Sequence, residues 1–122
     1  MLDKYLFWQY RDDNNCWDFV RSFLFDFCGI KLKKYGIAPD DKESMTKESV
    51  EVAKDFFTSG PVDFAIACHY YRETILHVGI VYKGQVWHTS KRRGTCIDSI
   101  EKFESQAKTT VYKLHGNIAN SR

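Results

Sequence analysis

The sequence contains no apolar run of 18 residues. Its start, Met1-Leu2-Asp3-Lys4 followed by a short apolar stretch, lacks the basic region and long apolar core of a secretory signal. Membrane insertion and leader-directed export are therefore not expected; the expectation is synthesis in a cytoplasm, unless another assembly carries the protein outward. An excess of one charge is also missing. Eighteen Lys and Arg against 16 Asp and Glu leave +2, which gives no electrostatic footprint for nucleic acid. No C-x-x-C pair occurs, and Cys16, Cys28, Cys68 and Cys96 are irregularly spaced, so they read as thiols rather than a disulfide framework. There is no internal repeat, low-complexity tract or linker. The 122 residues leave no room for a separate cofactor-binding domain, so one domain over 1–122 with no cofactor is expected.

What the chain does have is apolar surface. It is 43% hydrophobic, with nine Phe, seven Tyr and three Trp, enough for a packed core. Two basic clusters, Lys31-Lys33-Lys34 and Lys91-Arg92-Arg93, read first as solvated loop charges and second as contacts for anionic substrate groups or a partner.

Asn14 and Asn15 suit a helix N-cap. From Cys16 the apolar positions Phe19, Val20, Phe23, Leu24 and Phe27 keep helical spacing until Gly29. After a polar connection over 30–45, Ser44 or Thr46 can cap a second helix through Val50, Ala53, Phe56 and Phe57 to Gly60-Pro61. The period then changes to two, predicting strands over 62–70 and 75–82, a tight turn at Lys83-Gly84 and a returning arm over 85–89. A short strand over 95–97, a brief helix with Asp98 and Glu101 as a capping box, and a strand over 109–115 follow, ahead of a polar tail at 117–122. Helices first and an antiparallel sheet afterwards is an α+β pattern.

A two-residue turn at Lys83-Gly84 pairs Tyr82 with Gln85. It thereby puts Gly79 opposite His88, with His77 and His88 on one face, about 5.5–8 Å apart. An odd-length loop would send the two imidazoles to opposite faces. Cys16 opens a helix whose free N–H groups and dipole favour a thiolate. A neighbouring His can take the thiol proton, and a second polar group can orient that His; Cys16, His77 and His88 supply these roles. The competing reading is structural, since a lone Cys on an apolar stripe ordinarily packs in a core and a lone His on a strand is ordinarily a satisfied polar residue. The spacing of Cys68, His69, His77, His88 and Cys96 matches no usual paired-ligand pattern for zinc.

Asn15-Cys16-Trp17-Asp18-Phe19-Val20 resembles the nucleophile motif of the NlpC/P60 cysteine peptidases. His77-Val78-Gly79-Ile80-Val81-Tyr82 is similar to the motif that carries the family's general base, and His88 in Val86-Trp87-His88-Thr89 stands where the family places its orienting polar residue. Gly29-Ile30-Lys31-Leu32-Lys33-Lys34-Tyr35 and Gly94-Thr95-Cys96-Ile97 look like connecting segments of the short members carried by bacteriophage tails, so the resemblance spans about residues 5 to 105. Asn15 replaces the family's usual Asp, and Trp17 replaces a small residue.

The resemblance implies a papain-like α+β fold, with N-terminal helices packed on an antiparallel sheet. It implies a thiol endopeptidase that cuts peptidoglycan stem peptides at D-γ-glutamyl-diamino acid bonds during infection. The protein would sit in the virion tail among other tail proteins. Half of the oxyanion hole would come from the Cys16 N–H and half from an upstream tyrosine, Tyr10 or Tyr5. Two alternatives accompany this reading: a structural or assembly subunit at the tail tip that keeps the fold without catalysis, and an amidase or acyltransferase on the same fold. Phe7, Trp8, Trp17, Phe25 and Trp87 lean toward a partner surface, because not all of them are easily buried.

Overall fold

Asn15 starts the longest helix among the described residues. In the computed structural model, which describes residues 2–32 and 54–119, its side-chain oxygen accepts from the Trp17 and Asp18 N–H groups, and the Asp18 carboxylate accepts from the Asn15 N–H. This reciprocal box satisfies donors that the first turn leaves without helical partners. A one-turn helix, α1 (Asp3–Leu6), comes before it; the long helix, α2, runs Cys16–Cys28. It stops at Gly29, whose φ of 68° is the left-handed conformation that closes helices.

Most of the remaining described residues form one antiparallel sheet. Its strands are β1 (Phe56–Ser59), β2 (Ile66–Tyr71), β3 (Thr74–Tyr82), β4 (Gln85–Ser90), β5 (Gly94–Ser99) and β6 (Thr109–His115), in the spatial order β1-β6-β2-β3-β4-β5. A short helix α3 (Ile100–Glu104) joins β5 to β6, and α4 (Gly116–Ala119) follows β6. The architecture is α+β, with a six-stranded antiparallel sheet and a few short helices.

Strand alternation divides the core between the two faces of the sheet. On one, Phe19, Val20, Phe23 and Leu24 of α2 pack with Tyr5, Ile66, Cys68, Val78, Ile80 and Trp87. On the other, Phe103 of α3 packs with Ala65, Ala67, Val81, Val86, Tyr112 and Leu114. The β3–β4 turn has positive φ at both Lys83 (51°) and Gly84 (76°), the backbone of a two-residue hairpin whose twist suits the strands. The expected register follows, with Tyr82 opposite Gln85 and Ile80 opposite Trp87.

Three expectations are corrected. The second helix does not reach Gly60: its 46–53 portion lies outside the described residues, and Phe56–Ser59 is instead β1, paired with β6. Phe56 is buried and Phe57 is 60% exposed, an alternation that suits a sheet edge with aromatic and β-branched residues. The strand expected over 62–70 begins at Ile66, because Phe64 adopts a positive φ of 69°. Asp98 caps no helix. Ser99 is the N-cap of α3, its hydroxyl accepting from the Lys102 N–H, while Asp98 lies within β5 with its carboxylate buried. The final strand coincides with β6, and the tail forms a helical turn at α4 before 120–122, which lie outside the described residues.

Candidate active site

The hairpin register carries His77 and His88 to the same face of the sheet, where His77 Nε2 lies 2.8 Å from His88 Nδ1. The rings meet edge to face, with centroids 5.0 Å apart. Gly79 makes room for this: a Cβ at that position would lie 2.7 Å from Val86 Cγ1 and 3.0 Å from the His88 Cβ. A β-bulge aims His77. His69 pairs with His77 while Tyr70 pairs with Ile75, so Leu76 is the extra residue on β3, and bulges of this kind redirect the neighbouring side chain.

His88 is held from behind. Its Nε2 lies 2.7 Å from Asp98 Oδ2, and both side chains are almost wholly buried. Lys102 Nζ stands 3.4 Å from Asp98 Oδ1, and Gln106 Nε2 donates to Oδ2 at 3.5 Å. Burial favours the uncharged forms of both partners. For His88 it prevails and lowers the imidazole pKa, against the opposing pull of Asp98 and with help from the charges of Arg93 and Lys102. For Asp98 burial alone would raise the pKa, but the hydrogen bonds from His88 and Lys102, with the Lys102 charge, outweigh it and hold the carboxyl below its ordinary value. The pair is thus a neutral imidazole donating to a carboxylate.

That assignment fixes the protons along the chain of rings. With its Nε2 proton given to Asp98, neutral His88 presents an Nδ1 lone pair, which accepts the Nε2 proton of His77. A neutral His77 would then carry its lone pair on Nδ1. His69, the cross-strand neighbour of His77, donates from Nε2 to the Phe103 carbonyl at 2.6 Å and stacks on the Phe103 ring at 3.8 Å; burial lowers its pKa as well. These three imidazoles line an open groove of about 340 Å³ together with Leu76, Ser90, Arg93, Cys96 and Gln106. Of the basic clusters, Arg93 thus reaches the groove, whereas Lys33 and Lys34 lie outside the described residues.

Cys16 occupies the first position of α2, buried in the cluster that includes Cys68 and Val78. Alternation along β3 turns Val78 toward α2 and His77 toward α3. The β3–β4 ladder runs from Tyr82–Gln85 to Ile80–Trp87, and β4 then continues with β5 as far as Ser90–Gly94. The His77–His88 bond therefore lies beyond the ladder's end.

The two tyrosines separate clearly. Tyr10 is half-buried, and its pKa is raised by burial and then by the charge of Cys16, which places it in the thiol's neighbourhood. Tyr5 is fully buried, with its hydroxyl bonded to Ser22 and Asp26. Asp26 is ten residues from Cys16 along α2, about 15 Å of helix rise, so Tyr5 is a core residue rather than an oxyanion donor.

The structure thus joins His77 to His88 and adds two residues that sequence reasoning missed, Asp98 and His69. The signal for Asp98 was there, since it falls two residues after Cys96 and so on the face of His88 once β4 and β5 are paired. Its spacing to Glu101 suggested a cap instead. Among the described residues, no three His, Cys, Asp or Glu side chains are placed to hold a metal ion, and no helix is long and apolar enough to cross a membrane. No protein-family model matches the chain, and neither the curated proteins nor the solved structures provide a match.

Proposed function

We propose that this chain is a thiol endopeptidase with a papain-like fold of the NlpC/P60 type, acting on peptidoglycan stem peptides as part of a bacteriophage tail. The observation that carries the reading is the proton-ordered chain from His77 through His88 to the buried Asp98 carboxylate, which holds the His77 imidazole from its Nε2 side. A packing histidine needs no such order. The motifs around Cys16, His77 and His88 supply the family and the substrate class, with the bond between D-γ-glutamate and a diamino acid as the expected site of cleavage.

This reading requires the Cys16 thiol, on the α2 side, to meet His77 past the end of the β3–β4 ladder, where His77 takes its proton. The thiolate sulfur attacks the scissile carbonyl carbon, forming a C–S bond, while the Cys16 N–H and Tyr10 face the oxyanion. The C–N bond breaks as the His77 imidazolium protonates the leaving amine. Water, deprotonated by His77, then cleaves the thioester and returns the thiol. Incubating the protein with soluble muropeptides and weighing the products tests this. Fragments ending at D-γ-glutamate that disappear with Cys16→Ala are expected; cleavage that survives the substitution overturns Cys16 as the nucleophile.

An assembly role is the second reading. Phe7 is 75% exposed and Phe25 55%, and Leu6, next to Phe7 in sequence, is 42% exposed, whereas Trp87 is buried and Trp8 and Trp17 are half-buried. Exposed aromatic surface of this kind suits a partner. Muropeptides left intact by the protein, alone and in assembled tails, would favour this role.

A further inference from the structure

We infer that Asp98 is a positioning residue of the proposed peptidase: through His88 it fixes the proton of His77 on Nε2 and so determines which His77 nitrogen acts as the base. The inference rests on the proposed function for its catalytic consequence, but its structural content stands alone.

The Asp98 side chain is almost wholly buried. A buried carboxylate is costly unless it is paired and hydrogen-bonded. Here the Asp98 carboxylate sits near the C-terminal end of β5 and meets His88 from β4, Lys102 from α3 and Gln106 from the connection after α3. Lys102 alone would satisfy a surface acid, and its side chain is 57% exposed. The shortest contact of Asp98 is instead the 2.7 Å bond to His88, a residue whose other nitrogen faces His77. The arrangement therefore reaches the groove through one ring.

The proton count is unambiguous in direction. A carboxylate only accepts, so His88 must donate from Nε2. A neutral His88 then only accepts at Nδ1, so His77 must donate from Nε2. Reverse any one bond and the lone pair of a neutral His77 moves from Nδ1 to Nε2, the nitrogen that faces His88. When His77 becomes an imidazolium, the positive charge lies one ring from an anion it does not touch. The other groups around His88 are the cations Arg93 and Lys102, together with His69, His77 and Cys96 in the groove, so Asp98 supplies the negative charge among them.

Asn at position 98 keeps the shape and removes the obligation to accept. Its amide can donate to His88 Nε2, which would put the His88 proton on Nδ1 and force His77 to turn or to change tautomer. A wrong tautomer behind a catalytic imidazole can cost on the order of 10⁴-fold in kcat, as the serine protease triad illustrates. An acid acting through one additional ring is expected to matter less.

The test pairs a structural readout with a kinetic one. Nitrogen-15 correlation spectra of the His side chains in the wild-type protein are expected to show His77 and His88 both protonated on Nε2 near neutral pH. Asp98→Asn is expected to redistribute both tautomers and to lower kcat on muropeptides by about 10²-fold or more with KM little changed. The acid limb of its pH profile should move to lower pH, because the imidazolium has lost its anion. Asp98→Glu is expected to restore part of kcat and the tautomers. A wild-type His77 protonated on Nδ1 overturns the inference without any variant, and so does an Asp98→Asn protein with unchanged tautomers and pH profile. If the tautomers behave as stated but the wild-type protein cuts nothing, the positioning chain stands and the peptidase reading fails.

Discussion

Gly79 and His88 approach so closely across the β3–β4 hairpin that a methyl group on Gly79 would lie 3.0 Å from the His88 Cβ and 2.7 Å from Val86 Cγ1. Both neighbours are buried, and the carbonyl of Trp87 closes the third side at 3.1 Å. The glycine is needed for this approach and not for its backbone angles.

Gly79→Ala is accordingly expected to destabilise the fold by about 1–3 kcal/mol, the usual cost of overpacking. It should also disturb the His77–His88 bond. Urea unfolding would measure the first effect and the His nitrogen-15 spectrum the second. A variant as stable as the parent, with unchanged His signals, would show that the hairpin accommodates the methyl group.

Asn15 holds the first turn of α2 through its bonds to the Trp17 and Asp18 N–H groups. Asn15→Ala should cost about 0.5–2 kcal/mol, whereas Asn15→Asp, which keeps the accepting oxygen and adds charge at a helix N-terminus, should be neutral or stabilising. Thermal melts of the three proteins at matched pH decide this.

Acid should weaken the protein in two stages. His69 and His88 have pKa values below their ordinary 6.5 in the folded state, chiefly through burial. The unfolded chain therefore binds more protons than the native one once the pH drops below about 6.5, and stability declines through the folded values and then levels. Asp98, lowered from 3.8, adds a second loss that begins near that value and continues below it. Unfolding free energies measured from pH 8 to pH 3 should show both declines. His69→Phe, which removes one proton site, is expected to shrink the first.

The thiols should differ in reactivity. Burial pushes the Cys68 pKa up to about 12 and raises that of Cys28 as well. Iodoacetamide at pH 7.5 is expected to leave Cys68 unmodified in the native protein and to label it in denaturant. Under the proposed function Cys16 reacts first. Peptide mapping by mass spectrometry reads each site, and rapid native labelling of Cys68 would contradict its burial.

Local features accounted for the best-anticipated elements. The Asn15 cap, the helical stripe ending at Gly29 and the Lys83-Gly84 turn are each written within a few residues, so α2 and the β3–β4 register could be read directly. The register in turn placed His77 beside His88. β1 was missed because Phe56 and Phe57 suit either a helix or a strand, and only pairing with β6, far along the chain, selects the strand. Tyr5 and Tyr10 are both aromatic residues upstream of Cys16; it took packing to put one hydroxyl on Asp26 and the other side chain near the thiol.

By itself, then, the sequence determined an α+β chain, a capped helix opening on Cys16 and two histidines sharing one face of a hairpin, because caps, turns and two-residue alternation act over short stretches of backbone. Only the tertiary structure decided that Asp98 stands behind His88, that His69 and Cys96 share the groove, and that His77 meets His88 through Nε2. Those outcomes depend on which strands lie side by side and on the burial that keeps His88 neutral against a carboxylate. Neither is encoded in the spacing of neighbouring residues.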